Sequence, residues 1–175
     1  MTLGAPIDSR LVERFSRVLI GAVVIVSDEL GRVAFIRQPR GPFAGAWLLP
    51  GGGLEIDEDA GQAASRETLE ETGVTVSDLR YVGTYEVLGA WEPGPFHFVL
   101  LAFLGRAAAD ALGDGPGDGE GEMCWARPDE LELHPTDLMM LTDAGAAAYP
   151  DSVVQARLTA ERLRMIRYST NHTGV

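Results

Sequence analysis

The sequence contains a single cysteine, Cys124, among its 175 residues. One cysteine excludes an internal disulfide bond and a cysteine-rich zinc site, and it leaves the cytosol as the default compartment. The longest apolar run, Val18 to Val26, is too short to cross a bilayer as a helix. Residues 1–10 lack a basic region followed by an apolar stretch, so we expect no signal peptide there. These absences together predict a cytoplasmic protein that does not associate with membranes.

Positive charge is also scarce. Fourteen Lys and Arg residues stand against 26 Asp and Glu residues, which gives a formal net charge of −12. A field of that sign repels the phosphates of a nucleic-acid backbone, so a role in coating DNA or RNA is disfavoured. A small phosphate compound is still a suitable partner for an acidic protein when a divalent cation neutralises the site.

The pattern of apolar residues predicts one α/β domain over residues 1–175, without internal repeats or a linker. Arg17 to Ser27 is rich in β-branched residues, and Arg32 to Gln38 alternates, so these two stretches predict a hairpin. Further strands are predicted over Ala46–Leu49, Leu79–Leu88, Phe96–Leu104 and Met123–Ala126. Loops are expected over Pro39–Gly45, over Glu92–Pro95, and over the acidic, glycine-rich stretch Gly105–Glu122.

Helices are predicted over Asp57–Thr72, Pro128–Leu131, Thr136–Tyr149 and Asp151–Arg167. Asp57 or Asp59 is expected to cap the first of these, and Gly73 to end it. The last predicted helix carries arginines at near-helical spacing with leucines and an isoleucine between them, which favours an amphipathic helix that packs on the domain. A homodimer formed through that helix is the alternative.

The residues with the clearest chemistry are three glutamates, Glu67, Glu70 and Glu71. Their i, i+3 and i+4 spacing places them within an arc of roughly 100° on a helix, so the three carboxylates project from one side. Packed anions repel one another unless a cation lies among them, and carboxylate oxygens suit Mg²⁺ or Mn²⁺. Taken alone, however, such a cluster is more often a solvated acidic helix face than a metal site.

The residues before the cluster favour the metal site. Gly51, Gly52 and Gly53 precede the predicted helix, so backbone groups can approach an ion or a phosphate closely. Arg66 is well placed to hold a nearby carboxylate, such as that of Glu58, in a fixed orientation.

The segment from Gly52 to Val74 resembles the Nudix box, G-x5-E-x7-R-E-U-x-E-E-x-G-U, in which U is a bulky apolar residue. The matching positions are Gly52, Glu58, Arg66, Glu67, Glu70, Glu71, Gly73 and Val74. Thr68 departs from the pattern, because an aliphatic residue is usual there, and we expect it to affect packing only. The resemblance extends over a core of about residues 17–131, followed by C-terminal helices at about 136–167. It implies an α/β/α sandwich with a mixed β-sheet.

The resemblance also implies a reaction, the hydrolysis of a diphosphate linkage with Mg²⁺, or Mn²⁺, as the cofactor. It assigns metal binding to Glu67, Glu70 and Glu71, a supporting role to Glu58, and a carbonyl ligand to Gly51 or Gly52. Glu67, Glu70, Glu71 and Arg66 are therefore the expected catalytic residues. The general base is expected to be a box glutamate or an acid of the later loop, Glu120 or Glu122, and Glu120 is a further candidate metal ligand.

Substrate contacts are expected from Arg37 and Arg40, which follow the second strand, and from Trp91 as a stacking residue. The expected substrate is a nucleoside diphosphate derivative, either a nucleotide sugar similar to ADP-ribose or a (d)NTP, oxidised ones included. The alternative function is a non-catalytic Nudix-like module that senses a nucleotide. That alternative is disfavoured because all four box glutamates are present.

Overall fold

A mixed β-sheet organises the chain. The computed structural model describes residues 17–92, 94–108 and 122–168. Its strands are β1 (Val18–Ser27), β2 (Val33–Arg37), β3 (Trp47–Leu48), β4 (Gly51–Gly53), β5 (Val76–Trp91), β6 (Gly94–Ala107), β7 (Glu122–Ala126) and β8 (Arg164–Tyr168). Six of them follow the order β3-β2-β1-β6-β5-β8, while β4 pairs with β1 and β7 with β2. The β1–β6 pair is parallel and the others are antiparallel.

Helices lie on both faces of this sheet. They are α1 (Ala60–Thr72), α2 (Pro135–Asp143) and α3 (Asp151–Ala160), with a short 3₁₀ helix at Pro128–Glu130. Alternate residues of β1 point to opposite faces. Ala22 and Val24 belong to the core under α1, and Ile25 belongs to the larger core that α2 and α3 cover. The predicted α/β/α sandwich with a mixed sheet is therefore confirmed. None of the helices in the described ranges is long and apolar enough to span a membrane.

The hairpin between β1 and β2 shows how local polar groups fix the sheet. The Asp28 carboxylate accepts hydrogen bonds from the backbone N–H groups of Leu30, at 2.9 Å, and Arg32, at 2.8 Å. It also accepts one from the Arg32 side chain, at 2.7 Å. Gly31 adopts a φ of 73°, which a glycine adopts without strain. The predicted turn is therefore held by its own aspartate.

The C-terminal region differs from the prediction of one helix over Asp151–Arg167. Helix α3 ends at Ala160, and Arg162 takes a left-handed φ of 57°, which interrupts the helix. The chain then forms β8, whose Met165 pairs with Val87 on β5 and is buried. The arginines that looked like one helical face are thus divided between a helix and an edge strand, because pairing with β5 buries Met165.

Three other boundaries also differ. Helix α2 ends at Asp143 instead of Tyr149, and Gly145 follows with a φ of 71°. Strands β5 and β6 pair as far as Trp91 and Gly94, so the predicted four-residue loop Glu92–Pro95 is shorter than expected. Of the predicted acidic loop, residues 109–121 lie outside the described residues, and its first residues belong to β6.

One buried hydrogen bond offers a test of how β8 and α2 are joined. The Tyr85 hydroxyl on β5 donates to Asp143 at 2.8 Å, and Arg167 on β8 pairs with the same carboxylate at 2.5 Å. Burial raises the pKa of Tyr85, so the phenol stays protonated and donates. We predict that Tyr85→Phe lowers the free energy of unfolding by about 1 kcal/mol, measured by urea denaturation, because Asp143 keeps Arg167.

The matched control is Tyr168→Phe. Tyr168 is exposed, and the change removes its hydroxyl, which donates to Glu86 at 2.9 Å. We expect a loss of less than about 0.5 kcal/mol from that change. Equal losses in the two variants would contradict a stabilising role for the buried bond.

Candidate active site

Helix α1 carries the glutamate cluster, and its ends are fixed by local hydrogen bonds. Asp59 is the N-cap: its side chain accepts the N–H of Gln62 at 2.9 Å, and the Gln62 side chain accepts the N–H of Asp59 at 2.8 Å. Asp57, the other predicted cap, lies before the helix with a φ of 71°. Gly73 ends the helix in a left-handed conformation, as the sequence predicts.

Arg66 lies at the centre of a cluster of oxygen atoms. Its Nε and Nη2 contact the Glu58 carboxylate at 3.1 Å and 2.7 Å, a two-point ion pair. Its Nη1 donates to Glu67 at 2.9 Å and to Glu70 at 3.2 Å. Nη2 also donates to the Gly53 carbonyl at 3.1 Å. The hydrogen bonds from Arg66 hold the pKa of Glu58 below its usual value. One guanidinium thus contacts three carboxylates and the end of β4.

Glu71 faces a different environment. Its Oε2 accepts the backbone N–H of Gly51 at 2.9 Å, and the residue is partly buried. Burial, together with the negative charges of Glu67 and Glu70, raises the pKa of Glu71 to about 7, although the Gly51 bond acts in the opposite direction. Burial and the neighbouring carboxylates therefore both disfavour the charged form of Glu71.

The glycines of β4 allow the chain to pass between β1 and these carboxylates. A Cβ on Gly51 would lie 2.3 Å from the Ala22 carbonyl oxygen, and one on Gly52 would lie 2.3 Å from the Glu67 carboxylate carbon. Neither distance accommodates a methyl group. Strand β4 pairs with β1, with Gly52 opposite Ala22, so any residue larger than glycine has to push the two strands or the glutamate apart.

A cavity of about 750 Å³ opens from the glutamates. Glu67, Glu70 and Glu71 line it together with Gly51, Gly52 and Gly53. The rest of the lining is largely apolar and includes Phe43, Leu49, Phe98, Leu100 and Met140. The cavity volume falls in the range of small-molecule sites, and its lining combines charged and apolar side chains.

Asp137 is a buried carboxyl group in the lining, and the sequence analysis missed it. Its Oδ2 accepts the N–H of Leu49 at 2.6 Å, and its Oδ1 lies 3.3 Å from the Thr136 hydroxyl. Burial raises the pKa of Asp137 to about 7. An acidic residue in the first turn of a helix is ordinary in a sequence, since it complements the helix dipole, so no local signal pointed to it.

A family model described as the NUDIX domain matches residues 18–143, which is most of the chain. The chain belongs to the Nudix family. Among curated relatives, an RNA pyrophosphohydrolase of Dinoroseobacter shibae is 49% identical over 100 residues, covering 49% of this chain and 62% of that protein. An oxidized purine nucleoside triphosphate hydrolase of Danio rerio is 39% identical over 80 residues, covering 45% of this chain and 50% of that protein.

The matches to curated Nudix relatives are partial. The chain covers 42%, 36% and 50% of the length of three of them. Among solved structures, a MutT Nudix hydrolase from Burkholderia pseudomallei aligns with a TM-score of 0.59 and 24% identity, covering 73% of this chain and 98% of that one. The Nudix domain of Shewanella oneidensis NrtR, complexed with ADP ribose, aligns at 0.56 and 18%, covering 76% and 90%. These two likenesses establish the fold.

The one irregular position of the Nudix box lies in the core. Thr68 is a fully buried residue of α1. Its hydroxyl donates to the Ala64 carbonyl at 2.7 Å, one helical turn before it. The polar atom is therefore satisfied within the helix, and the methyl group is left for packing. Thr68 does not line the cavity.

The predicted substrate contacts are placed unevenly. Arg40 lines the cavity, whereas Arg37 and Trp91 are not among its lining residues. The Arg37 side chain lies 3.3 Å from the Gly45 carbonyl and 3.4 Å from the Glu122 carboxylate. Trp91, at the end of β5, packs against the larger core. Glu120 lies outside the described residues, so the structure does not place it.

The donor set at the Nudix box fits a hard divalent cation. Glutamate oxygens and glycine carbonyls are the ligand type that Mg²⁺ and Mn²⁺ prefer. Burial raises the pKa of Glu71 most, and such an ion would offset the further contribution from the charges of Glu67 and Glu70. As the side chains stand, the described ranges contain no group of three His, Cys, Asp or Glu side chains in a metal-binding arrangement. Arg66 engages Glu67 and Glu70 in this conformation, and the exposed Glu70 has room to turn.

The charge balance at Arg66 generates a prediction. Arg66→Gln removes the cation from a cluster of glutamates, so we expect a lower free energy of unfolding in metal-free buffer, because the carboxylates then repel one another. Added Mg²⁺ should restore part of the loss. Urea denaturation with and without Mg²⁺ measures both effects.

Arg32→Gln is the control for this experiment, because Arg32 pairs with Asp28 in a hairpin turn and not with a glutamate of the box. Its loss should be smaller and unaffected by Mg²⁺. An equal response of both variants to Mg²⁺ would contradict the idea that the cation acts at the box.

The pKa of Asp137 generates a second prediction. Since its folded value is raised to about 7 from an ordinary value of 3.8, the folded protein binds the proton more tightly than the unfolded chain does. This contribution to stability is fully present below about pH 4 and is lost as the pH rises through about 7. The stability of the wild type should therefore fall more steeply over this window than that of Asp137→Asn, measured by urea denaturation. Parallel curves would refute the titration of Asp137 in the folded protein.

Proposed function

We propose that this Nudix protein is a Mg²⁺-dependent pyrophosphohydrolase that cleaves the diphosphate linkage of a nucleoside diphosphate derivative. The observation that carries the proposal is the shared cavity, whose lining combines a charged part with three box glutamates and an apolar part with two phenylalanines. A diphosphate with a bound cation suits the charged part, and a nucleoside suits the apolar part.

Metal binding is assigned to the residues that surround the charged part of the cavity. Glu67, Glu70 and Glu71 would hold the ion, with the Gly51 or Gly52 carbonyl as a further ligand and Glu58 in support through Arg66. Glu120 remains a proposed ligand on sequence grounds alone. When bound, Mg²⁺ offsets charge on the phosphoryl oxygens and lowers the pKa of water.

Proton transfer is assigned to Glu71. Its Oε2 is held by the Gly51 N–H, which orients the carboxylate and leaves Oε1 to take the proton from the attacking water. Glu67 and Glu70 instead accept hydrogen bonds from the guanidinium of Arg66.

Substrate binding is assigned first to Arg40, which lines the cavity and carries the positive charge that a phosphate requires. Phe43 and Phe98 line the apolar part, and their rings pack edge to face with centroids 5.8 Å apart. They present aromatic surface on which a base can stack. Arg37 and Trp91 remain proposals from the sequence, with contacts elsewhere in the described structure.

The names of the relatives support one of the two substrate classes expected from the sequence. Relatives named as a putative 8-oxo-dGTP diphosphatase, from Bacillus subtilis, and as an oxidized purine nucleoside triphosphate hydrolase favour a (d)NTP, oxidised ones included. A nucleotide sugar similar to ADP-ribose is the second class. Other relatives are named as an RNA pyrophosphohydrolase and as an NAD-capped RNA hydrolase, so a short NAD-capped RNA belongs in the substrate panel despite the net charge of −12.

The test is hydrolysis of a substrate panel with Mg²⁺, monitored by release of phosphate and nucleotide products. We expect turnover of at least one (d)NTP or nucleotide sugar. Glu70→Gln and Glu71→Gln should each lower kcat by about 10²-fold or more while the protein stays folded, because each removes a carboxylate from the charged part of the cavity.

Glu132→Gln serves as the control, because Glu132 is an exposed glutamate outside the cavity. It should retain wild-type activity. Full activity in both box variants would overturn the metal-site assignment. An inactive wild type that still binds nucleotides in calorimetry would favour the alternative function, a nucleotide-sensing module.

A further inference from the structure

The short connection between β3 and β4 is held from both of its ends. The N–H of Leu49 donates to Asp137 on α2 at 2.6 Å, and the N–H of Gly51 donates to Glu71 on α1 at 2.9 Å. These two helices pack on opposite faces of the sheet. The connection therefore links a carboxyl group in one layer of the sandwich to a carboxyl group in the other.

Pro50, the residue between Leu49 and Gly51, restricts the conformation of the connection. Pro50 has a restricted φ, and its carbonyl accepts the N–H of Val24 on β1 at 2.9 Å. Gly51 then pairs with Val23. Leu49 is thus held by α2, Pro50 by β1, and Gly51 by both β1 and α1, so three consecutive residues form one continuous hydrogen-bonded link between the two helices.

Burial of Asp137 calls for a reason, because an unpaired buried carboxyl group is costly. The side chain is in a residue only 3% exposed, and its short hydrogen bond is the one from Leu49. It does not cap its own helix, where the N-cap His134 has no side-chain cap bond. The short hydrogen bond of this buried carboxyl group is therefore made with the backbone of the connection, at Leu49.

We propose that Asp137 is a positioning residue for the active site. It holds Leu49 where the next two residues bring the Gly51 N–H to Glu71, and so it sets the orientation of the carboxylate to which the proposed function assigns proton transfer. The inference rests on that function for its kinetic consequence. Its structural part, the dependence of the Gly51–Glu71 hydrogen bond on Asp137, does not.

The structural part is tested by NMR on the metal-free protein. Asp137→Ala removes the acceptor of the Leu49 N–H, and we expect the amide resonances of both Leu49 and Gly51 to shift. Asp137→Asn keeps an acceptor oxygen of the same reach, so the Gly51 resonance should return toward its wild-type position. A Gly51 resonance unchanged in Asp137→Ala would overturn the proposal, whatever the activity.

The kinetic part uses the substrate that the panel identifies. We expect Asp137→Ala to lower kcat by about 10- to 100-fold with KM changed less than about threefold, since the reacting groups are misplaced but the substrate contacts remain. Asp137→Asn should recover most of kcat. A raised KM with unchanged kcat would overturn the proposal, because it would mean that Asp137 contacts substrate directly.

Tyr85→Phe is the matched control for a general loss of stability. It also removes one buried hydrogen bond to a carboxylate, but that bond joins β5 to α2 and does not involve the connection. Its kcat should stay within about twofold of the wild type. A decrease equal to that of Asp137→Ala would overturn the proposal. An inactive wild type, by contrast, would count against the proposed function and leave the NMR result to decide the structural part.

Discussion

Mutual repulsion among the glutamates of α1 is the constraint on which the rest of the site depends. The three carboxylates on one side of this helix cannot all stay charged and close without a cation. Arg66 supplies one positive charge and distributes it over Glu58, Glu67 and Glu70. Glu71 accepts a hydrogen bond from a backbone N–H instead of from a guanidinium, and its pKa is raised. The arrangement divides four acids of the box into three that are held by a guanidinium and one that is held by the main chain.

The backbone contribution is possible because three glycines stand where α1 comes closest to the sheet. At Gly51 and Gly52 even a methyl group would collide with β1 or with Glu67. Close approach lets a main-chain N–H reach Glu71 and lets the Gly53 carbonyl accept from Arg66. Strand β4 thus pairs with β1 and also offers main-chain polar groups to the side chains of α1. Its position in turn depends on the connection that precedes it.

Much of the site could be predicted because its signals are local. The spacing of Glu67, Glu70 and Glu71 and the flanking glycines are properties of one short stretch, and the resemblance of that stretch to the Nudix box identified the family that the NUDIX domain model confirms. What the sequence could not provide depends on distant partners. Asp137 acquires its environment from Leu49, 88 positions away. Strand β8 forms by pairing with the edge of β5. The spacing of the arginines, which suggested a helix, gives no information about that pairing.

The parallel pairing of β1 with β6 has a consequence for how the molecule is made. Ten residues of β1, from Val18 to Ser27, align with His97 to Arg106, so this pairing in the sheet joins positions nearly eighty residues apart. Contacts of such separation form slowly, since a long loop must close before they contribute. On a ribosome, α1 and its glutamates emerge before β6 is complete. The segment that defines the family is therefore synthesised early, but the central β1–β6 pair of the sheet forms only after β6 has been synthesised, and β7 and β8 join the sheet later still.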